Sequence, residues 1–367
     1  MKKKLAILAV AAACIILIIF SINSYMKKTR NAVENLAREK KLVNVLIAGS
    51  NKYRERRHSF FCVLSINPDN NNIGITFIPP NFRVYLDESR EDPVAISEVD
   101  FIYFDRLRRS LLHDLKLNIP FYVELYTSDV HRITDLIEGL DIFMLDQMKG
   151  KESVKFGSNY LDGKKVMRYI NNVENGSIYL KFDRIEDIFL SLYHNRHKKQ
   201  NLITFEFISE LLSSIKTSLL PQEVMTMTGY FLKEGSLFSI MLPGAFNGGF
   251  YTIDNVSHKI YESEFLQHLI MNKEGETAVK VKILNGTSVP GLARKMRNKY
   301  NREGLSVVEF GTSPFPPMKK SVIIARKSST GAVKKVSELT GIDNIHYIID
   351  NTLLHNVLII IGEDLAQ

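Results

Sequence analysis

Cysteine is nearly absent from the 367 residues: there are two, Cys14 and Cys62. Cys14 lies inside the first apolar run and Cys62 in a predicted strand, so they do not pair and the fold uses no disulfides. The nine histidines are scattered, and no Cys/His cluster offers a structural zinc site. There is no Gly-x-Ser-x-Gly elbow, no phosphate-cradling P-loop and no dinucleotide fingerprint, which removes those enzyme classes. No DNA- or RNA-binding motif occurs either. The formal charge of +8, with a pI of 9.2, is spread along the chain. Anionic lipid, lipid-linked phosphate or acidic glycan suits such charge better than nucleic acid does.

What is present is the composition of a globular protein, 45% hydrophobic and 24% charged, long enough for two domains. Its one long apolar run is Leu5 to Ile22, about 18 residues, the lower end of what spans a bilayer. Lys2, Lys3 and Lys4 precede it; Lys27, Lys28 and Arg30 follow it. The positive-inside count is balanced, so the amino-terminal position, not charge, favours a signal anchor with the bulk exported. Three other readings compete: a cleaved signal peptide, a lipoprotein signal at Cys14, and a buried core helix. Ser21–Tyr25 is a poor cleavage site, the apolar run continues past Cys14, and the basic flanks oppose a core helix.

The division expected is a transmembrane anchor at 1–25, a helical linker at 26–41, a central α/β domain at 42–270 and a small α/β domain at 278–367. In the central domain, Leu42–Gly49 reads as a buried strand, Phe60–Asn67 and Ile73–Pro79 as a hairpin across the turn Pro68–Asn72, and Phe121–Tyr126 as a further strand. The next helix puts Val130, Ile133, Ile137 and Leu140 on one face and stops at Gly139. Helices are expected near Phe182–Tyr193 and Leu202–Leu220, with His194–Gln200 a solvated loop and the apolar faces given to core rather than to a lipid groove. The last domain alternates: strand Val279–Leu284, helix up to Gly304, strands Ser306–Phe310 and Ser321–Ala325, helix Thr330–Leu339, strand Val357–Ile361.

With that order in hand, the chain resembles the LytR-CpsA-Psr family of envelope proteins. Residues 44–50 (NVLIAGS), 64–69 (LSINPD), 78–84 (IPPNFRV), 161–166 (LDGKKV) and Leu242-Pro243-Gly244 with Tyr251 and Asp254 carry the likeness. Residues 281–287 (VKILNGT), Gly291-Leu292-Ala293 and Ile361-Gly362-Glu363-Asp364 resemble the family's separate C-terminal module. The resemblance implies an apolar cavity for a polyprenyl-diphosphate lipid, arginines on the diphosphate, aspartates on Mg2+, and transfer of a glycopolymer to peptidoglycan.

Several of the implied site residues are replaced. The first acidic position is Asn51, and a second aspartate is Ser59. The Ile-Pro-Arg-Asp pattern has Pro80 and Asn81 where arginine and aspartate belong, keeping Arg83. An Arg-x-Arg helix start becomes Arg168-Tyr169-Ile170. An Asp-x-x-Arg segment becomes Lys181-Phe182-Asp183-Arg184. Asn lacks the anionic charge that draws Mg2+ from water, and Pro has no guanidinium. Arg83, Arg168 and Arg184 are the diphosphate candidates, weighed against pairing with carboxylates or capping helices. The basic loop Lys52, Arg54, Arg56, Arg57 is weighed against simple solvation.

The expected function is therefore a membrane-anchored extracytoplasmic protein of envelope organisation. It binds a lipid-linked or glycan ligand, peptidoglycan or an envelope protein as a pseudoenzyme, with no cofactor. The alternative is a divergent Mg2+-dependent phosphotransferase drawing carboxylates from Asp87, Asp100 or Asp105. A transcriptional regulator rests only on the family's historical naming.

Overall fold

The fold is that of a computed structural model, which describes residues 31–50, 58–87, 89–145, 154–173, 176–271 and 279–366. The expected anchor at 1–25, Asn51 and the basic loop 52–57 lie outside the described residues. Among the described residues no helix is long and apolar enough to cross a membrane.

Helix α1 (Ala32–Arg38) is capped by Asn31, whose side chain accepts from Glu34 N at 2.7 Å. A meander follows: β1 (Val43–Ser50), β2 (Phe60–Ile66) and β3 (Ile73–Ile78), each antiparallel to the next. The β2–β3 turn closes by side chain to backbone bonds. Asn67 Oδ1 accepts from Asp69 N at 3.0 Å, Asn70 Oδ1 accepts from Asn72 N at 2.9 Å, and Asn71 sits at φ +58°. A small ribbon, β4 (Arg83–Tyr85) with β5 (Pro93–Ala95), leads to α2 (Phe104–Leu115). Strand β6 (Phe121–Tyr126) returns parallel to β1, and α3 (Thr127–Leu136) runs back along it. Gly139, at φ +69°, supplies the left-handed stop expected there.

A hairpin of β7 (Leu140–Met144) and β8 (Gly157–Leu161) feeds α4 (Gly163–Asn171) and α5 (Ile178–His194). Asp162 caps α4 by accepting from Lys165 N at 2.9 Å. Next to it Gly163 presses on α3: a Cβ there would lie 2.4 Å from the His131 carbonyl oxygen. The Leu-Asp-Gly turn therefore has two jobs, capping α4 and letting it touch the α3 backbone.

Helix α6 (Phe205–Leu212), β9 (Lys216–Thr217), α7 (Pro221–Leu232) and β10 (Leu237–Met241) complete the main sheet, ordered β10-β3-β2-β1-β6-β9. A ribbon of β11 (Ala245–Asn247) and β12 (Phe250–Thr252) precedes a last helical stretch from Asn255 to Met271, which passes through a π turn at Glu262–Leu266. Strand alternation divides the apolar residues between two faces. Leu46, Ala48, Phe61 and Val63 pack toward α2 and the 255–271 stretch; Val43, Val45, Cys62 and Phe77 pack toward α5 and α7. A sheet buried on both faces explains why β1 and β2 read as continuous apolar runs.

Two sequence expectations are corrected here. The helix expected over Leu202–Leu220 ends at Leu212. Lys216 and Thr217 then form an edge strand, drawn to the sheet because Lys216 Nζ reaches the buried Glu124 carboxylate at 2.5 Å. Pro221 starts a separate helix, α7, where Glu223 accepts from Leu220 N at 2.8 Å and from Ala32 N at 3.0 Å, tying α1 in place. The loop expected at His194–Gln200 contains a helical turn, Arg196–Lys199, and Arg196 is buried. Its guanidinium lies over the Tyr193 ring at 4.2 Å and donates to Tyr193 O at 3.0 Å.

The C-terminal part has β13 (Lys280–Asn285), α8 (Leu292–Arg302), β14 (Ser306–Thr312), β15 (Val322–Ala325), α9 (Thr330–Thr340), β16 (Ile345–Tyr347) and β17 (Val357–Ile361), with sheet order β14-β13-β17-β15-β16. It docks firmly. Thr330 Oγ1 accepts from Leu237 N at 3.0 Å, Ser328 Oγ accepts from Ser239 N at 2.5 Å, and Asp187 Oδ1 accepts from Ile349 N at 2.5 Å. The mixed α/β architecture expected from the sequence is present in both parts.

Candidate functional site

Strands β1 and β6 are parallel neighbours and end together at Ser50 and Tyr126. In open α/β sheets the crevice beyond such carboxyl ends is where ligands bind. Here it opens into a cavity of about 370 Å³ between the sheet and helices α3, α4 and α5. Ile47, Phe60 and Leu125 form its floor, and Val130, Ile133, Val166, Ile170, Ile185 and Ile188 its walls.

The cavity has a polar and an apolar end. Ser50, Ser59, Tyr126, Thr127, Asn171 and Lys181 lie where β1, β6 and α4 finish and β2, α3 and α5 begin; Ile137 and Leu192 lie at the far ends of α3 and α5, and Leu140 at the start of β7. Lys181 and Leu192 are eleven residues apart on α5, so the space extends about 16 Å along that helix. Lys181 is the one charged side chain among the described lining residues, and none of them is a carboxylate.

The face of α5 is shared. Phe182, Leu190 and Tyr193 are buried in the core, as expected; Ile178, Ile185, Ile188, Phe189 and Leu192 face the cavity. The assignment of the whole apolar face to core is corrected: part of it lines a groove. Helical periodicity marks an apolar stripe, but it does not say whether protein atoms fill the space opposite.

The residues singled out from the sequence fall in different places. Ser59, Ile170 and Lys181 line the cavity. Pro80, Asn81 and Arg83 do not: the Pro80 carbonyl accepts from Ser97 N, the Asn81 carbonyl from Tyr251 N, and Arg83 lies over the Tyr85 ring at 5.6 Å. Arg168 stands late in α4, not at its start, and shares an open hollow with Met167 and Asn171, both of which also line the cavity. Asp87, Asp100 and Asp105 are used locally, on Ser89 Oγ, on Ile102 N and beside Arg108. None of the three lines the cavity. Among the described residues no group of three or more His, Cys, Asp or Glu is placed to hold a metal ion.

Arg184 sits on the flank of α5 turned to the C-terminal part. Its Nη1 donates to Tyr169 Oη at 3.2 Å and lies 3.6 Å from the buried Asp187 carboxylate, which accepts from the Tyr169 hydroxyl. Arg83, Arg168 and Arg184 are thus not gathered into one pocket. Sequence reasoning missed Ser50, Tyr126, Thr127 and Asn171, and it treated Lys181 only as a lost aspartate. The signal available was position: all of them adjoin a strand end or a helix end.

Beneath the mouth on the other face of the sheet, His58 Nε2 lies 3.2 Å from Glu124 Oε2, and Lys216 holds the other carboxylate oxygen. Burial opposes the Glu124 charge, but the bonds from His58 and Lys216 outweigh it and hold the carboxyl below its usual range. This ion cluster fixes the start of β2 and so the position of Ser59.

On α5, burial pushes Asp187 up to about 7 and Glu186 up to about 8. A carboxyl whose folded pKa lies above its unfolded one stabilises below the unfolded pKa and loses that contribution as pH rises through the folded value. Stability should therefore fall between pH 5 and 8. Glu186→Gln should flatten the fall, gaining about 1–3 kcal/mol at pH 8. Urea melts at stepped pH check this, and an unchanged slope in the variant would contradict it.

Comparison with known proteins bears on both parts. Residues 278–365 match the family model described as LytR cell envelope-related transcriptional attenuator. No curated protein matches the sequence. Among solved structures, TagT bound to LIIa-WTA is similar at TM-score 0.50 and 15% identity, over 63% of this chain and 91% of that one. A transcriptional regulator from Enterococcus faecalis aligns at 0.51 and 15%, over 65% and 91%. A Streptococcus agalactiae protein aligns at 0.51 and 12%, over 66% and 92%. Residues 278–365 thus match the LytR C-terminal family, and they follow a domain with the fold of TagT.

Proposed function

We propose that this chain, anchored by residues 1–25 with its bulk outside the cytoplasmic membrane, holds the tail of an anionic membrane lipid in the cavity and performs no magnesium-dependent transfer. The lipid class is a polyprenyl phosphate or diphosphate, free or carrying a glycan, and the role is in cell-envelope organisation. The observation that carries this reading is the cavity itself: a largely apolar space with one lysine and no carboxylate among the described residues lining it. TagT, similar in fold, was solved bound to LIIa-WTA, which agrees with a lipid-linked ligand.

The physics follows from that lining. Each methylene taken from water into the cavity contributes about 0.8 kcal/mol, so tail length sets affinity. The head lies at the polar end, where Lys181 and the first turns of α3 and α5 supply positive character. Without a carboxylate there, a magnesium ion has no anionic ligand from the described part of the mouth. The transferase alternative needs carboxylates that the described mouth does not provide.

Lys181→Ala should weaken a polyprenyl phosphate about tenfold, and Lys181→Glu about a hundredfold, at low salt. Uncharged polyprenol should bind all three forms alike. Equilibrium titration with fluorescent lipid checks this. Equal phosphate affinity in wild type and Lys181→Glu would mean that the head lies elsewhere.

A further inference from the structure

Helix α5 has a second cavity beside it, about 150 Å³, with apolar walls and four charged side chains, bordered by the C-terminal domain. Leu180, Asp183 and Arg184 come from α5; Arg326, Ile348 and Asp350 come from the other side. Arg326 is 7% exposed, yet among the described residues only its Nη2 has a side-chain partner, Asp350 Oδ2 at 3.3 Å. Its Nε and Nη1 are buried with no acceptor among the described residues. A buried donor left unmade costs about 1–3 kcal/mol, more when charged, and such groups are rare in folded proteins. Something with acceptor oxygens belongs against them.

The surrounding groups favour an anion over a cation. Arg184 lines the same space, and neighbouring Lys327 is spent on backbone, donating to Asn351 O at 2.6 Å. Of the acids, Asp350 accepts from Arg326 and Thr352, Asp183 accepts from Asn351 Nδ2 at 3.1 Å, and Asp187 faces Tyr169 and Ile349 N. Burial pushes Asp183 up to about 6, Asp187 to about 7 and Glu186 to about 8, which lowers the negative charge that opposes an anion, and the acids that line the cavity already accept bonds while Arg326 keeps donors to give. The volume is that of about five waters, room for one small oxyanion with its hydration.

We propose that this interdomain cavity is a binding site for a small oxyanion, a phosphate group or a carboxylate, held by the free donors of Arg326 with Arg184 and clamping the C-terminal domain to α5. Guanidinium suits both oxyanions because it is always charged and offers several fixed donors. A glycan phosphate and a peptide carboxylate are the two sources whose chemistry fits.

The test uses the full chain in detergent, titrated calorimetrically with inorganic phosphate and with acetate at constant ionic strength. One ion per chain, with a Kd below about 1 mM and a higher melting temperature, is expected for at least one of them. Tighter phosphate assigns a phosphate group; tighter acetate assigns a carboxylate. Arg326→Gln should weaken binding at least about tenfold. Arg326→Lys keeps the charge and should retain part of the affinity, and it serves if the glutamine variant does not fold. Lys327→Gln, its ammonium already spent on carbonyls, should bind as wild type. No saturation below about 10 mM, or equal affinity in wild type and a folded Arg326→Gln, overturns the proposal and leaves only waters in the cavity.

Discussion

A Val130→Phe, Ile185→Trp double variant should lose about a hundredfold in affinity for a polyprenyl phosphate while melting no lower than the parent. Both residues line the cavity, one from α3 and one from α5. The added rings take up space that the tail would occupy. Excluding about four methylenes at about 0.8 kcal/mol each removes roughly 3 kcal/mol of binding, near two factors of ten. The same rings fill a void, so folding gains apolar contact rather than strain. The checks are a lipid titration and a thermal melt on one sample. Unchanged affinity with unchanged melting would place the tail outside this cavity. The pairing of effects matters, because a misfolded variant would lose both.

Gly163→Ala should destabilise the protein by about 2–3 kcal/mol, a large cost for a single methyl group. The added Cβ would sit 2.4 Å from His131 O and 2.5 Å from His131 Cα, both backbone atoms of α3 that no side-chain rotation can move aside. Gly163 N also donates to Asp135 Oδ1 at 2.8 Å, so backing α4 away sacrifices that bond. Because α4 carries Val166 and Ile170 on the cavity wall, the shift should reach lipid affinity as well. For scale, Asp162→Ala removes the cap on Lys165 N and a half-exposed ion pair with Lys165 Nζ at 3.6 Å, and should cost about 1 kcal/mol. Chemical denaturation of the two variants gives the ratio, and an alanine at Gly163 as mild as that at Asp162 would mean the helices separate freely.

Much of the fold was legible in the sequence where local chemistry and burial agree. Strands β6 and β17 have the boundaries expected, because each is a short apolar run between clear breaks. The β2–β3 turn was legible because the asparagines make their own backbone bonds. Strand β9 was not: two residues carry no period, and Lys216 joins the sheet because of Glu124, ninety-two positions earlier in the chain. Arg196 was not legible either, since a run of basic residues reads as solvated until a tyrosine ring and two carbonyls bury one of them.

The candidate site was half legible. The family likeness directed attention to the ends of β1 and α4 and the start of α5, and Ser59, Ile170 and Lys181 lie there around one cavity. It could not say which way a kept arginine turns. Arg184, three residues from Lys181, leaves the cavity for Tyr169 and Asp187, and Arg83 lies on a separate ribbon over Tyr85. Nor did any pattern along the chain reveal Arg326, whose unmet donors arise only once the C-terminal domain is docked on α5.

The most direct test is to incubate the full chain with a polyprenyl diphosphate in EDTA and, separately, in excess magnesium, following lipid retention and diphosphate cleavage together. Lipid tailed as the cavity requires should be retained equally in both conditions and remain intact. Retention that depends on magnesium, or cleavage of the diphosphate when it is added, would contradict a metal-free binding role and establish a working phosphotransferase.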